Sequence, residues 1–120
     1  GGRAPPSSYV AVTELWNGSS WTEVNDLNTG RASLAGQTGT SVSAIAAGGY
    51  SGTAYVANVE EWNGASWVEV ADLSTGRSGA GGAGADSTSA LIFGGFTPTT
   101  TAATEEWSNT SFSTKTVSTD

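Results

Sequence analysis

An all-β chain, built from a repeat of 45 or 46 residues with four short strands in each copy, is predicted by three features of this 120-residue sequence. The stretch Glu61-Trp62-Asn63-Gly64-Ala65-Ser66-Trp67 occurs earlier as Leu15-Trp16-Asn17-Gly18-Ser19-Ser20-Trp21 and later as Glu106-Trp107-Ser108-Asn109-Thr110-Ser111-Phe112. The flanking marks keep the same beat: Gly1-Gly2, Gly48-Gly49 and Gly94-Gly95; Gly30-Arg31 and Gly76-Arg77; Asp26-Leu27 and Asp72-Leu73. Between these marks lie short runs of Val, Ile, Thr and aromatic residues bounded by Gly, Asn and Ser, which is the composition of strands and turns. Self-similarity at this period marks a repeat architecture.

Taken in order within one copy, strand one follows the Gly-Arg pair, over 32–35 and 78–83. It is rich in glycine and alanine. In isolation it reads as a flexible linker; in its place in the repeat, small side chains suit an innermost strand crowded by its neighbours. Strand two runs into the double glycine, over 43–47 and 90–93, and strand three ends at the first Trp, over 10–16, 56–62 and 102–107. Strand four starts at the second Trp or its Phe counterpart, over 21–24, 67–70 and 112–117. Asn17-Gly18 and Asn63-Gly64 are hairpin signals, since both residue types tolerate positive φ. A loop of two or of four residues leaves Trp16 and Trp21 on one face, diagonal in the first case and directly opposite in the second.

Four strands per copy, a double glycine closing strand two (Gly48-Gly49, Gly94-Gly95) and a tryptophan downstream resemble the kelch repeat of β-propellers; the Gly-His and Trp-Asp marks of WD repeats are missing. The resemblance covers nearly the whole chain. It implies four-stranded antiparallel blades: a half blade of strands three and four in 1–28, a complete blade in 29–73 and a complete C-terminal blade in 74–120. A closed propeller has four to eight blades. The segment is therefore expected to be the C-terminal part of a longer propeller, or to have its half blade completed by another chain. Alone, it is expected to fold poorly, with an apolar face and an edge left bare. The wording Trp-Asn-Gly-x-Ser-Trp-x-Glu-Val-x-Asp-Leu is similar to repeats of kelch-like proteins from marine bacteriophages and marine bacteria.

Composition narrows the function classes. The formal net charge is −7, with four Lys and Arg together. Binding to a nucleic-acid backbone needs clustered cations, and anionic membranes are disfavoured for the same reason. No apolar run reaches membrane-spanning length. Cysteine and histidine are both absent, which removes disulfides, zinc ribbons and His-dependent nucleophiles. Galactose oxidase, which the kelch resemblance raises, builds its copper site from Tyr, His and a Cys-linked Tyr, so none of that site carries over. No cofactor is expected.

Several residues invite a role. The Trp pairs Trp16/Trp21 and Trp62/Trp67, with Trp107 and Phe112, read first as core of each repeat and second as a sugar-stacking platform. Arg31 and Arg77 share one slot, five residues after Asp26 and Asp72; they read as structural, bonding the turn between copies or the Asp carboxylate, with an anion site as the sharper alternative. Glu14 with Glu23, Glu60 with Glu69, and Glu105 raise glycosidase or Ca²⁺ chemistry. Their recurrence on outer strands favours solvated acids or pairs with backbone donors. Tyr9, Tyr50, Tyr55 and Phe96 lie in or beside the loop between strands two and three, whose length varies between copies, so they are candidate ligand or partner contacts. In an antiparallel copy this loop emerges on the same face as the loop carrying 72–77. Asn17-Gly18-Ser19 and Asn109-Thr110-Ser111 match the glycosylation sequon.

The expected function is a non-enzymatic structural and recognition module on a virion or cell exterior, such as a phage tail, fibre or capsid-associated protein. Its partners would be other protein subunits or the rest of the propeller. The alternatives are a carbohydrate-binding, lectin-like propeller that contacts surface glycans, and the accessory propeller of a larger extracellular enzyme.

Overall fold

The computed structural model describes residues 1–108 and 112–115, with the backbone alone for 35–38 and 112–115. Twelve strands appear among these residues, all paired antiparallel, and no helix. The chain opens with a two-stranded ribbon, β1 (Gly2–Ala4) and β2 (Ser8–Val10), where the sequence reads as loop. A hairpin of β3 (Thr13–Trp16) and β4 (Trp21–Val24) follows. Then come two four-stranded sheets in simple sequence order. The first is β5 (Ala35–Thr40), β6 (Ser43–Ala47), β7 (Val59–Trp62) and β8 (Trp67–Val70). The second is β9 (Gly81–Asp86), β10 (Ser89–Phe93), β11 (Thr104–Ser108) and β12 (Phe112–Lys115).

The four-residue hairpin loop is the one adopted: Trp16 is directly opposite Trp21, Trp62 opposite Trp67, and Trp107 opposite Phe112. The asparagine works through its side chain. Asn17 Oδ1 accepts from the backbone N–H groups of Ser19 and Ser20 at 2.8 and 2.9 Å, and Asn63 Oδ1 accepts from Ala65 and Ser66 at 2.9 Å each. Positive φ falls on Gly18 and Gly64 and not on either asparagine. This is a side-chain mimic of a turn, a local bond that Asn makes readily.

Strand one needs correction. It is expected over 32–35 and 78–83 but begins at Ala35 and at Gly81. Before it the chain turns through a left-handed residue, Ser33 (φ 51°) in one copy and Gly79 (φ 65°) in the next. A left-handed φ near 50–65° turns the chain away from the extended conformation, so the turn after the Gly-Arg pair is longer than the sequence pattern implies. Strand three also starts late, at Thr13, Val59 and Thr104, because its first residues bond to neighbouring loops. Ala11 O and Ala57 O accept from Leu27 N and Leu73 N at 2.9 Å, and Val10 O and Val56 O accept from Arg31 N and Arg77 N at 3.2 and 3.3 Å. Of the expected strand four over 112–117, residues 116 and 117 lie outside the described residues, as does the sequon at 109–111.

The two sheets pack through a core of Ile45, Ala47, Val59, Leu73, Ala90, Ile92 and Trp107. Their innermost strands, β5 and β9, run close together. A Cβ on Gly81 would meet the Phe93 ring, which is 44% exposed and would have to move aside, whereas residues 82–85 of the same strand are exposed. The recurring Gly-Arg pair has a steric cause: a Cβ on Gly30 or Gly76 would strike the carbonyl of Tyr9 or Tyr55 in the preceding loop. The double glycines take positive φ in both complete copies, 64° and 112° at Gly48 and Gly49, 71° and 98° at Gly94 and Gly95. L-residues avoid that region and glycine does not.

Candidate functional site

The loops between strands two and three gather on one side of the molecule with the turns that carry the Gly-Arg pairs. Ala32 bridges Tyr50, and Ser78 bridges Phe96. Each loop presents two facing positions. Arg3 faces Tyr9 across β1 and β2, Tyr50 faces Tyr55, and Phe96 faces Thr100. Successive loops then lean on one another. Tyr9 meets Tyr50 edge-on with ring centroids 5.8 Å apart, Tyr50 meets Tyr55 at 5.0 Å, and Tyr55 meets Phe96 edge-on at 5.6 Å. The Arg3 guanidinium lies 5.4 Å from the Tyr9 ring centre. The four aromatic residues singled out in the sequence therefore form one continuous row drawn from three repeats, capped at one end by a cation.

The packing reading of these aromatics describes their geometry. The rings pack edge-on across repeats, an arrangement that aromatic quadrupoles favour, and tilted at 52° within the middle loop. They also stay accessible: the three tyrosines are half-buried and Phe96 is 41% exposed. Among the described residues, no hydrogen bond engages a tyrosine hydroxyl of the row. Arg3 is the member that sequence reasoning missed. Counted from the double glycine it occupies the position of Tyr50 and Phe96, and that register was the available signal.

Arg31 and Arg77 are structural, but their side chains bond neither of the two expected partners, the turn between copies or the Asp carboxylate. Arg31 Nη2 donates to Glu60 Oε2 at 3.0 Å, and Nη1 donates to Gly48 O and Asn58 O at 2.9 and 2.6 Å. Arg77 repeats the pattern with Glu105 at 2.6 Å and with Gly94 O and Ala103 O at 3.2 and 2.8 Å. Both ion pairs are buried. Burial pulls the Arg31 guanidinium below its ordinary range while Glu60 pulls it back up. The other oxygen of each carboxylate accepts from the turn that precedes its sheet, from Asn28 N to Glu60 at 2.7 Å and from Ser74 N to Glu105 at 2.9 Å. Glu60 and Glu105 are thus not solvated: each is buried and pairs with a backbone donor, as expected, and with an arginine as well. Glu69, opposite Glu60, accepts from Asn58 Nδ2 at 2.9 Å. Among the described residues, no group of three acidic side chains could hold a metal ion.

The tryptophans divide by context. Trp62 and Trp107 are 5% and 0% exposed, and their indole N–H groups donate to Ser41 O and Ser87 O in the inner hairpin turns at 3.0 and 2.7 Å. Trp67 donates across the repeat boundary to Thr13 Oγ1 at 3.1 Å. Trp16 and Trp21, in the hairpin with no inner pair beside it, are 49% and 63% exposed although their rings touch at 5.4 Å. Of Phe112 the backbone alone is described. No protein-family model matches the chain, and no curated protein matches it.

Proposed function

We propose that this chain is a non-enzymatic recognition module, part of a kelch-like β-propeller on a virion or cell exterior, that contacts another protein or a host surface. The observation that carries this reading is the aromatic row from Arg3 to Phe96. It joins three loops into one accessible stripe on the face where the repeat varies in length. Tyrosine, arginine and phenylalanine in such a stripe are the residue types from which binding hot spots are made. The four-stranded antiparallel sheets in sequence order, each resting on the next, support the propeller as the scaffold. The absence of His and Cys from the sequence supports a role without His-dependent nucleophiles or thiol chemistry.

A second reading has its own support: free tyrosine hydroxyls beside aromatic ring faces suit a sugar, which offers C–H faces and hydroxyls together. One experiment separates the two. The labelled chain is applied to intact particles or cells of its source and to a glycan array, as wild type and as Tyr50→Ala. Recognition of a protein surface predicts binding to the particles, weakened about tenfold or more by Tyr50→Ala, with a silent array. Array binding lost in Tyr50→Ala makes the sugar reading the correct one. Binding to neither surface, or equal binding by Tyr50→Ala, contradicts the recognition role of the row.

A further inference from the structure

We infer that the aromatic row is a docking track for an extended, proline-rich segment of a partner protein, with one x-Pro dipeptide to each ring step. The inference rests on the protein-binding reading of the row given above and names the chemistry of its ligand. Tyr50 and Tyr55 carry it, because their loop has a neighbouring loop on each side: Tyr9 packs on Tyr50, and Phe96 packs on Tyr55. The rings are held in place. The Tyr9 ring rests on Gly52, where a Cβ would stand 2.9 Å from it, and Gly76 presses on the Tyr55 carbonyl. A ligand therefore meets side chains that are already ordered, which lowers the entropic cost of binding.

The hydrogen-bonding groups of the row select among the ways a peptide can bind. The main chain beneath the rings is occupied. Tyr50 exchanges both of its main-chain bonds with Ala32, and Phe96 exchanges both with Ser78, at 2.9 and 3.0 Å in each pair. Strand addition needs a free edge, and the row offers side chains instead. A helix uses its own carbonyls internally. Its backbone would give no acceptor to the hydroxyls of Tyr9, Tyr50 and Tyr55, which make no hydrogen bond among the described residues. A polyproline II segment has the complementary property: its carbonyls make no internal hydrogen bonds and stay open along its length. It is stiff before it binds, and aromatic-lined surfaces take up its proline rings. The spacing agrees. Polyproline II rises about 3.1 Å per residue, so two residues advance about 6 Å, and successive ring centres of the row lie 5.8, 5.0 and 5.6 Å apart.

The test selects peptides from a random-peptide phage library on the immobilised 120-residue chain, with the Tyr50→Ala/Tyr55→Ala chain as counter-selection. Enriched peptides are synthesised and their binding is measured by fluorescence anisotropy. The expected result is enrichment of sequences with proline at every second or third position, bound one to one. Replacing those prolines by alanine weakens binding about tenfold or more. Tyr50→Phe keeps the ring and its packing and removes one donor, so it weakens binding about three- to tenfold. Circular dichroism checks that each variant keeps its strand content. The inference is overturned by enrichment of peptides without the proline spacing, by no enrichment, or by equal binding to wild type and Tyr50→Phe. No enrichment alongside particle binding that Tyr50→Ala abolishes overturns the proline-rich ligand and leaves the row a recognition surface for another protein shape. Glycan-array binding that depends on Tyr50 overturns both the ligand and the protein-binding reading.

Discussion

Arg77→Met is expected to destabilise the chain by about 3–5 kcal/mol, the cost of leaving a buried charge without its partner. The guanidinium ties three segments: the Glu105 carboxylate on β11, Ala103 O ahead of it, and Gly94 O at the double glycine. Methionine keeps much of the length and apolar bulk and loses every donor. Glu105 then stays 1% exposed with only the Ser74 N–H facing it. The double variant Arg77→Met/Glu105→Met removes the stranded charge and is expected to recover most of the loss, because a buried pair replaced as a unit is close to neutral. Arg77→Lys should fall between, since one ammonium cannot span two carbonyls and a carboxylate in the guanidinium's planar geometry. Urea denaturation of the four proteins checks the series. A loss under about 1 kcal/mol for Arg77→Met, or no recovery in the double variant, contradicts the structural role.

Trp107→Ala is expected to cost about 3–5 kcal/mol, the range for emptying a buried aromatic site. The indole is fully buried among Ile92, Ala90, Val59 and Leu73, where two sheets meet, and it loses its bond to Ser87 O as well. The same change at Trp16 is expected to cost less than about 1 kcal/mol, because that ring is half exposed and has no inner hairpin to pack against. Equal losses at Trp16 and Trp107 would contradict the account. Thermal unfolding of the two variants side by side is the comparison to make.

The all-β class and the strands nearest the motif were legible because they carry strong local signals. β4 and β8 begin at Trp and end at Val as the motif predicts, and β6 ends where it runs into the double glycine. Strand one was misplaced because Ala, Ser and Gly carry little β signal, and nothing in the local pattern marks Ser33 as left-handed. Both alternatives for the Arg31 partner, the nearby turn and Asp26, missed for a different reason. Asp26 is near in sequence, whereas Glu60 is 29 residues away and arrives only through the pairing of β7 with β6. The aromatic residues were visible one by one as loop aromatics. Their union into a row depends on how successive loops lean together, which is tertiary information, and Arg3 went unread because its loop was not seen as a ribbon.

The claim at the centre of this account is that equivalent residues of the repeat are buried only where the neighbouring strands are in place. Hydroxyl-radical footprinting read by mass spectrometry tests it at single tryptophans. The account predicts rapid oxidation of Trp16 and Trp21 and strong protection of Trp62 and Trp107. Uniform oxidation of all four, or protection of Trp16 equal to that of Trp107, would contradict it.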